Sequence, residues 1–392
     1  MQLFALLGAH PDISVAEITA LTGLSPSWRE GQLAIFDNFE GDVKKLGKRL
    51  GGTQKLGVLV GTLEKVEKTE MAAFLAQDLI AEHPEGKIHF GLSVYGKDQA
   101  KVKTVREQSK NVGMELKSTL KAAGRSGRYV ISKDETLSAV VITSNHLLDK
   151  GAEYAIIVRD NDIAVARTVA VQNVDEWAHR DLNRPRRNAK QGMLPPKLAR
   201  MLVNLAGKEV AGKTLYDPFC GSGTILSEGA VVGYAKLIGS DINAQAVADT
   251  QENLTWLGLQ GVVVPAPTVF TSAASEAPAS GNIASASVDA IVTETYLGRP
   301  RKGDEEASEV QEAVNYVARL YEESFAALKT VLKPGGVVII ASPVHVTDQE
   351  SFEVPVNEIM SKLGYTPAPF HTELIYRQET QYVGRKIEKF IL

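Results

Sequence analysis

A glycine-rich turn between a short strand and a helix-forming run constrains the fold of this chain more than any other feature. It occupies residues 217–224 and reads Asp-Pro-Phe-Cys-Gly-Ser-Gly-Thr. Glycines let the backbone approach a ligand closely where a strand turns into a helix. Downstream, a second predicted strand ends at Asp241, whose carboxylate can accept hydrogen bonds from the two hydroxyls of a ribose. This order of elements predicts a doubly wound α/β domain with a site for a nucleotide-like cofactor.

The same turn argues against a dinucleotide. The third glycine of the pyrophosphate motif is missing, and Asp217 would repel a phosphate but attract a cation. The motif closely resembles the first motif of class I S-adenosylmethionine-dependent methyltransferases that modify exocyclic amino groups of nucleic-acid bases. A simple turn, with Asp241 as a helix N-cap, is the alternative. The resemblance implies S-adenosylmethionine as cofactor, bound by Asp217, Phe219, Gly221, Gly223, Thr224, Asp241, Ile242 and Asn243.

Composition sets limits that agree with this interpretation. The 392 residues exceed one typical domain, and 44% hydrophobic with 23% charged residues is ordinary for a globular protein with a large core. Cys220 is the only cysteine, so no intrachain disulfide can form. No secretion signal, membrane span or metal site is expected. We therefore expect a cytoplasmic protein of two or three domains.

Positive charge is concentrated in two segments, although the net charge is −4. The segment from Lys97 to Arg128 contains nine basic residues and only three acidic ones. This excess favours either phosphate contacts or an exposed helix face. The second segment is less compatible with a regular helix because it contains Pro185. It comprises Arg180, Arg184, Arg186, Arg187, Lys190, Lys197 and Arg200, opposed by Asp181. This segment predicts an RNA-binding surface.

The N-terminal half alternates predicted strands and helices in two modules. Residues 1–65 form a small α/β unit, and residues 66–170 form a second one with a long basic helix at about 101–123. Within the second module, residues 91–96 and 138–141 resemble the THUMP domain, an RNA-binding module often placed before a methyltransferase.

A connector after these modules extends the resemblance. Residues 171–185 and 192–200 closely resemble the connector of tRNA guanine-N2 methyltransferases. The resemblance implies a ferredoxin-like domain at 1–65, a THUMP-like domain at 66–170, a linker at 171–205 and a catalytic domain at 206–392. It also implies tRNA or another structured RNA as partner, and it allows a small activating protein subunit. The expected RNA contacts are Arg180, Arg184, Arg186, Arg187, Lys190 and Arg299.

The remaining landmarks of a Rossmann-like class I methyltransferase follow in order. A buried strand at 288–292 runs into residues 293–298, a helix covers 310–328, and a turn at 332–336 leads into a strand at 337–341. A terminal hairpin at 374–376 and 385–392 would complete a seven-stranded sheet. In such a sheet, ligands bind at the carboxyl ends of the strands.

Residues Thr293-Glu294-Thr295-Tyr296 depart from the family's fourth motif, which is usually Asp or Asn followed by Pro-Pro-Tyr. In the family, the first residue and a backbone carbonyl hold the target amine while the aromatic ring stacks on the flipped base. Here either Thr293 or Glu294 can take the first position. We favour Glu294 because a carboxylate can both orient the amine and accept its proton. The predicted catalytic residues are thus Glu294, Tyr296 and Thr293.

Two other functions fit the same residues. The catalytic domain could belong to a DNA or ribosomal-RNA amino-methyltransferase, or the altered fourth motif could mark an RNA-binding relative without catalysis. A THUMP-like module favours structured RNA over DNA. The retained Asp217, Gly221, Gly223 and Asp241 favour an active enzyme. A contact to the adenine of the cofactor has no clear counterpart, and Glu276 or a backbone group could provide it.

Overall fold

The computed structural model describes residues 1–187, 193–298, 301, 303, 305–347, 350–378 and 380–392. These residues fold into two compact units. The first comprises Met1–Pro11, Leu24–Arg49 and Thr53–Asp175, and the second comprises Asp12–Gly23, Leu50–Gly52 and Glu176–Leu392. Helix α1 (Pro11–Thr22) therefore belongs to the second unit from Asp12 onward, although it lies in the predicted N-terminal domain.

The first unit is built on one mixed sheet of eight strands in the described chain. Its spatial order is β2-β3-β1-β4-β8-β7-β5-β6. The strands are β1 (Leu3–Leu7), β2 (Trp28–Glu30), β3 (Leu33–Phe36), β4 (Thr53–Leu63), β5 (Ile88–Gly96), β6 (Gly127–Val130), β7 (Gly151–Val158) and β8 (Ile163–Val171). The helices are α2 (Val43–Arg49), α3 (Lys68–Glu82), α4 (Gln99–Ala122) and α5 (Ala139–Ser144).

Both predicted N-terminal domains contribute strands to this sheet, because β4 pairs antiparallel with β8. Helices α3 and α4 pack on it through apolar side chains that include Met71, Leu75, Val112 and Leu116. The division at residue 65 stays a prediction, as do the ferredoxin-like and THUMP-like assignments.

The second unit contains the other sheet. Its strands are β9 (Thr214–Asp217), β10 (Lys236–Asp241), β11 (Thr268–Thr271), β12 (Val288–Glu294), β13 (Leu332–Val346), β14 (Ser351–Glu353), β15 (Thr366–Pro367), β16 (Leu374–Tyr376) and β17 (Val383–Ile391). Its further helices are α6 (Val174–Leu182), α7 (Pro196–Leu205), α8 (Thr224–Val232), α9 (Ala244–Leu259), α10 (Ala307–Leu328) and α11 (Val356–Lys362), with a short 3-10 helix at Ala277–Ser280.

The strand order of this sheet is β11-β10-β9-β12-β13-β17-β15. The first five strands are parallel, and β17 runs antiparallel to β13. This confirms the predicted Rossmann-like methyltransferase fold with its terminal hairpin of β16 and β17, and two short strands, β14 and β15, are added to the expected seven. The order reverses between β9 and β12, so the carboxyl ends of these strands mark the expected ligand crevice.

Side chains of the central strands alternate between two apolar layers, as the period of a strand requires. Leu215 and Ile339 pack in one layer together with α7 and α8. Tyr216 and Ile340 pack in the other together with α10. In the part of the chain that the structure describes, no helix combines the length and apolar character that crossing a membrane requires.

Glu17 fixes α1 within the second unit. Its carboxylate is fully buried and accepts hydrogen bonds from the backbone amides of Gly51 and Gly52, at 2.8 and 2.9 Å. The side-chain amide of Asn204 on α7 donates a third, at 2.7 Å. Burial raises the pKa of Glu17, while these hydrogen bonds act to lower it. The helix is therefore attached to the rest of the second unit by a specific polar contact as well as by the apolar packing of Ile13.

Candidate active site

The glycine-rich turn lies at the carboxyl end of β9 and begins α8. Gly221 and Gly223 have φ angles of +52° and +80°, which glycine adopts at low cost. The Thr250 hydroxyl donates to the Gly221 carbonyl oxygen at 2.7 Å. A Cβ added to Gly223 would lie 2.8 Å from Thr250 Cγ2, whereas one added to Gly221 would meet no atom within 4 Å. The turn is therefore packed at Gly223 and open at Gly221.

Asp241, at the carboxyl end of β10, connects this turn to the start of α9. Its carboxylate accepts hydrogen bonds from the Gly221 and Asn243 amides, each at 2.9 Å. Asn243 in turn caps α9 by accepting a hydrogen bond from the Gln245 amide. Ile242 is 76% exposed beside the carboxylate. An acceptor and an apolar surface thus lie side by side next to the turn.

Asp217 is the buried carboxylate of the site, with 2% of its surface exposed. The Thr293 hydroxyl and the Phe219 amide donate to its Oδ1 at 2.7 and 3.2 Å. Burial raises the pKa of Asp217 to about 8, these hydrogen bonds act to lower it, and the charges of Asp241 and Glu294 add to the rise. A cation bound beside Asp217 would therefore stabilise its charged form.

Glu294 ends β12, and its carboxylate accepts a hydrogen bond from the Arg385 guanidinium on β17. Burial raises the pKa of Glu294, and the positive charge of Arg385 acts against this rise. The preceding Thr293 is fully buried and directs its hydroxyl to Asp217. The two candidates for the first position of the fourth motif thus have different surroundings: Thr293 contacts the predicted cofactor side, and Glu294 forms an ion pair.

The two residues after Glu294 also differ from each other. Thr295 is buried, and its hydroxyl is hydrogen-bonded to the Tyr321 hydroxyl on α10. Tyr296 is 45% exposed and makes an edge-to-face contact with Tyr316, with ring centroids 6.2 Å apart. An exposed ring at the end of a strand, supported by a second aromatic ring, can stack on a planar ligand.

Two of the arginines predicted to contact RNA lie inside the unit. Arg184 is 7% exposed and donates to the Thr224 hydroxyl at 2.6 Å. Arg180 donates to the buried Glu228 at 2.9 Å, and its guanidinium lies 4.3 Å from the centroid of the Trp177 ring. These arginines contact α8 behind the glycine-rich turn, and Arg184 offers almost no surface to RNA.

The other predicted RNA contacts are exposed or lie outside the described residues. Arg186 forms an ion pair with Glu252 at 2.7 Å and remains half exposed. Arg187 is exposed. Lys190 and Arg299 lie outside the described residues. Exposed Glu276 immediately precedes the short 3-10 helix.

Sequence reasoning missed two residues that shape the site. Arg385 was assigned only to a terminal strand, because nothing in one sequence connects it with Glu294, 91 residues earlier. Asn253 on α9 donates to the Ser222 carbonyl oxygen at 2.8 Å and accepts from the Arg186 amide at 3.0 Å. In the sequence, Asn253 lies one turn after Asp249 on the helix that follows the acidic strand end. Nothing in that position indicates a contact with the glycine-rich turn.

The residues present fit S-adenosylmethionine. The open side of Gly221 admits a ligand, and the Asp241 carboxylate offers acceptors for ribose hydroxyls. Buried Asp217, whose pKa is raised to about 8, would carry a negative charge once a cationic group is bound beside it. Among the described residues, no group of three or more His, Cys, Asp or Glu side chains could hold a metal ion.

Comparisons with known proteins support this assignment for the catalytic unit. Residues 184–353 match the family model for the RMKL-like, methyltransferase domain (UPF0020). The chain is 34% identical over 160 residues to the tRNA (guanine(10)-N2)-dimethyltransferase of Methanothermobacter thermautotrophicus, covering 41% of each protein. It is 32% identical over 188 residues to the enzyme of the same name from Methanocaldococcus jannaschii, covering 46% of this chain and 48% of that protein. The matches thus span less than half the length of these relatives.

A solved structure extends the likeness in fold. TrmN from Thermus thermophilus superposes with a TM-score of 0.52 at 17% sequence identity, covering 100% of this chain and 99% of TrmN. The matched segment in this chain contains the glycine-rich turn, Asp241 and the altered fourth motif. Residues 184–353 are therefore similar to the RMKL-like methyltransferase domain, a class I fold whose implied methyl donor is S-adenosylmethionine.

Proposed function

We propose that this protein transfers methyl groups from S-adenosylmethionine to the N2 amine of a guanine in tRNA. The observation that carries this proposal is the presence of two carboxylates at the ends of adjacent strands, one on each side of the point where the strand order reverses. Asp217 ends β9, Glu294 ends the neighbouring β12, and Thr293 donates a hydrogen bond from one strand end to the other. The names of the two relatives favour guanine 10 of tRNA as the target.

The cofactor side of the site acts by binding and orientation. The methyl group of S-adenosylmethionine is electrophilic because it is attached to a positively charged sulfur. Asp217 places a negative charge near the cationic end of the ligand, and the Asp241 carboxylate accepts hydrogen bonds from the ribose. Thr293, Phe219 and Gly221 hold the two carboxylates in place before the ligand binds. The binding geometry therefore requires little rearrangement.

The acceptor side binds the base and removes a proton. A guanine inside an RNA helix must leave the stack to reach a buried carboxylate, and the exposed Tyr296 ring provides a stacking surface for it. The Glu294 carboxylate accepts a hydrogen bond from the amine and orients it toward the methyl group. When the new C–N bond forms and the C–S bond breaks, Glu294 accepts the amine proton. The positive charge of Arg385 favours the charged form of Glu294, against the effect of burial on its pKa.

The first unit offers a surface for the rest of the tRNA. Lys103, Lys110 and Lys117 are exposed on α4 and are spaced by seven residues, so they lie on one face of the helix. Such a row of positive charge can contact successive phosphates. Arg186 and Arg187 provide a second exposed basic group in the catalytic unit.

The test is a comparison of nucleic acids. The purified chain is incubated with S-adenosylmethionine and either unmodified tRNA, duplex DNA or ribosomal RNA, and the digested nucleosides are identified by mass spectrometry. We expect N2-methylguanosine or N2,N2-dimethylguanosine in tRNA alone. Methyladenine or methylcytosine in DNA, or a product only in ribosomal RNA, would replace the proposed substrate. Cofactor binding without any product would contradict an active enzyme, unless a small protein subunit, tested by addition of a cell extract, restores turnover.

A further inference from the structure

A buried histidine lies beyond the catalytic edge of the sheet and has no role in the chemistry proposed above. Ala341 of β13 pairs in parallel with Glu294 of β12, and His345 follows four residues later on the same strand. Paired residues of neighbouring strands, and residues separated by an even number along one strand, share a face of the sheet. His345 therefore lies on the face that carries Glu294, two same-face positions beyond Ala341 along β13.

Gly298, which follows the fourth motif, lies against this histidine. Gly298 follows Tyr296 by two residues and has a φ angle of +88°. A Cβ added to Gly298 would lie 3.3 Å from His345 Cε1 and 3.7 Å from Nε2. The positive φ and this short distance both favour glycine at position 298. The imidazole thus contacts the segment that presents the Tyr296 ring.

Three polar atoms in this region are buried without a hydrogen-bond partner in the described chain. They are Nδ1 and Nε2 of His345, whose side chain is 1% exposed, and Nη2 of Arg301. The other nitrogens of Arg301 are paired: Nη1 donates to the Val346 carbonyl oxygen at 3.2 Å, and Nε donates to Glu305 at 3.1 Å. Burial of polar groups without partners is unfavourable, so folded proteins retain few of them, often at functional sites.

The chemistry of the three atoms defines the ligand that would satisfy them. Burial and the positive charge of Arg301 lower the pKa of His345 to about 4, with Glu305 acting against this shift. A neutral imidazole offers one donor and one acceptor, and Arg301 offers a further donor. A matching ligand presents two neighbouring acceptors and one donor. Guanine has this arrangement, with O6 and N7 as acceptors and N1–H as a donor, whereas adenine carries an amino group in place of O6.

We propose that His345 and Arg301 form a base-recognition subsite that selects guanine over adenine. This role rests on the proposed function and adds the determinant of its base specificity. Arg301 and the N–H group of His345 donate to the acceptor edge of the flipped guanine while Tyr296 stacks on its face. An adenine in the same position would bring its amino group against the Arg301 donor and leave a buried group unpaired.

Guanine is compared with 2-aminopurine at the target position of a synthetic tRNA to test this subsite. The analogue keeps the amine at C2 and the N7 acceptor but lacks both O6 and the N1–H donor. We expect kcat/KM of the unaltered protein to be about 5- to 150-fold lower for 2-aminopurine. The variants His345→Leu and Arg301→Met should lower kcat/KM for guanine and reduce this discrimination. Exposed His371 in the same unit provides a matched control, His371→Leu, which should preserve it.

Thermal unfolding separates recognition from a structural role. His345→Leu removes two buried unpaired nitrogens, so its melting temperature should equal or exceed that of the unaltered protein. Loss of discrimination in a variant of full stability supports the subsite. Unchanged discrimination in both variants would overturn it. Equilibrium binding of the two RNAs in the presence of S-adenosylhomocysteine gives the same comparison without turnover, so failure of the methylation proposal remains distinguishable from failure of the subsite.

Discussion

The cofactor side and the acceptor side of this site differ in how their polar groups are satisfied. On the cofactor side, Asp217 and Asp241 accept hydrogen bonds from Thr293 and Gly221 before any ligand is present. On the acceptor side, His345 and one nitrogen of Arg301 are buried without partners in the described chain. The first side is preorganised for a ligand of constant structure, whereas the second side would be completed by the base that enters.

The largest expected effect is on the acceptor side. Glu294→Gln keeps the shape of the side chain but removes the proton acceptor, so kcat should fall roughly 10²- to 10⁴-fold. Binding of S-adenosylmethionine, measured by calorimetry, should change little. Glu353→Gln alters another ion-paired carboxylate of the same sheet and should leave kcat unchanged. Full activity of Glu294→Gln would transfer the catalytic assignment to Thr293 or to the backbone.

The next effect concerns the cofactor side alone. Asp241→Ala removes the acceptor for the ribose and the hydrogen bond to the Gly221 amide. Affinity for S-adenosylmethionine should fall about 10- to 150-fold, as expected when a charged hydrogen bond is removed. Affinity for tRNA, measured by filter binding, should stay within about twofold if the two sides act separately. A parallel decrease in tRNA affinity would contradict that separation.

Cofactor binding should also depend on pH through Asp217. Its pKa is raised to about 8 in the free protein, so the carboxyl is protonated at pH 6.5 and becomes charged as the pH rises through 8. Affinity for the cationic cofactor should therefore increase with pH, by up to about tenfold per unit below pH 8, with proton release on binding. Asp217→Asn should remove this part of the dependence and leave any titration of the ligand itself. Identical profiles for both proteins would exclude Asp217 as the titrating group.

The smallest expected effect is on tRNA binding and should not involve the cofactor side or the acceptor side of the site. Replacement of Lys103, Lys110 and Lys117 on α4 by glutamate should weaken tRNA binding roughly three- to tenfold and reduce its salt dependence. The reason is that the salt slope falls by about 0.7 to 0.9 for each phosphate that the protein no longer neutralises. Cofactor affinity should not change. Replacement of the acidic residues Glu309 and Glu312 of α10 by lysine is a control for altered charge elsewhere. An unchanged salt slope in the α4 variant would remove this helix from the RNA surface.

The sequence was sufficient to predict the parts of the site that follow from local order. The strand, glycine-rich turn and acidic strand end predicted both the Rossmann-like fold and the proximity of Asp217 to Asp241, since neighbouring parallel strands end at the same edge. The terminal hairpin of β16 and β17 was predicted from the resemblance to class I methyltransferases. Short β14 and β15 pair only three and two residues, and a pattern of that length is too weak to count strands reliably.

Contacts between distant residues could not be predicted in this way. The pairing of Glu294 with Arg385 and the burial of Arg184 depend on which side chains the completed sheet and helices bring together. A charge cluster in one sequence is equally consistent with a phosphate surface and with internal ion pairs. The structure places Arg180 and Arg184 inside the fold, where they contact Glu228 and Thr224.

The attachment of α1 to the catalytic unit has a consequence for the order in which the protein can assemble. Glu17 is synthesised 187 residues before Asn204, its partner on α7. Helix α1 therefore cannot form its contact with α7 until the rest of the first unit has been translated. The hydrophobic core of the catalytic unit can be completed only after much of that unit's own chain has followed. A polypeptide that starts at residue 176 would lack this helix and the Gly51–Gly52 segment. Although it would contain every predicted cofactor residue, it should fold with a gap beside α7.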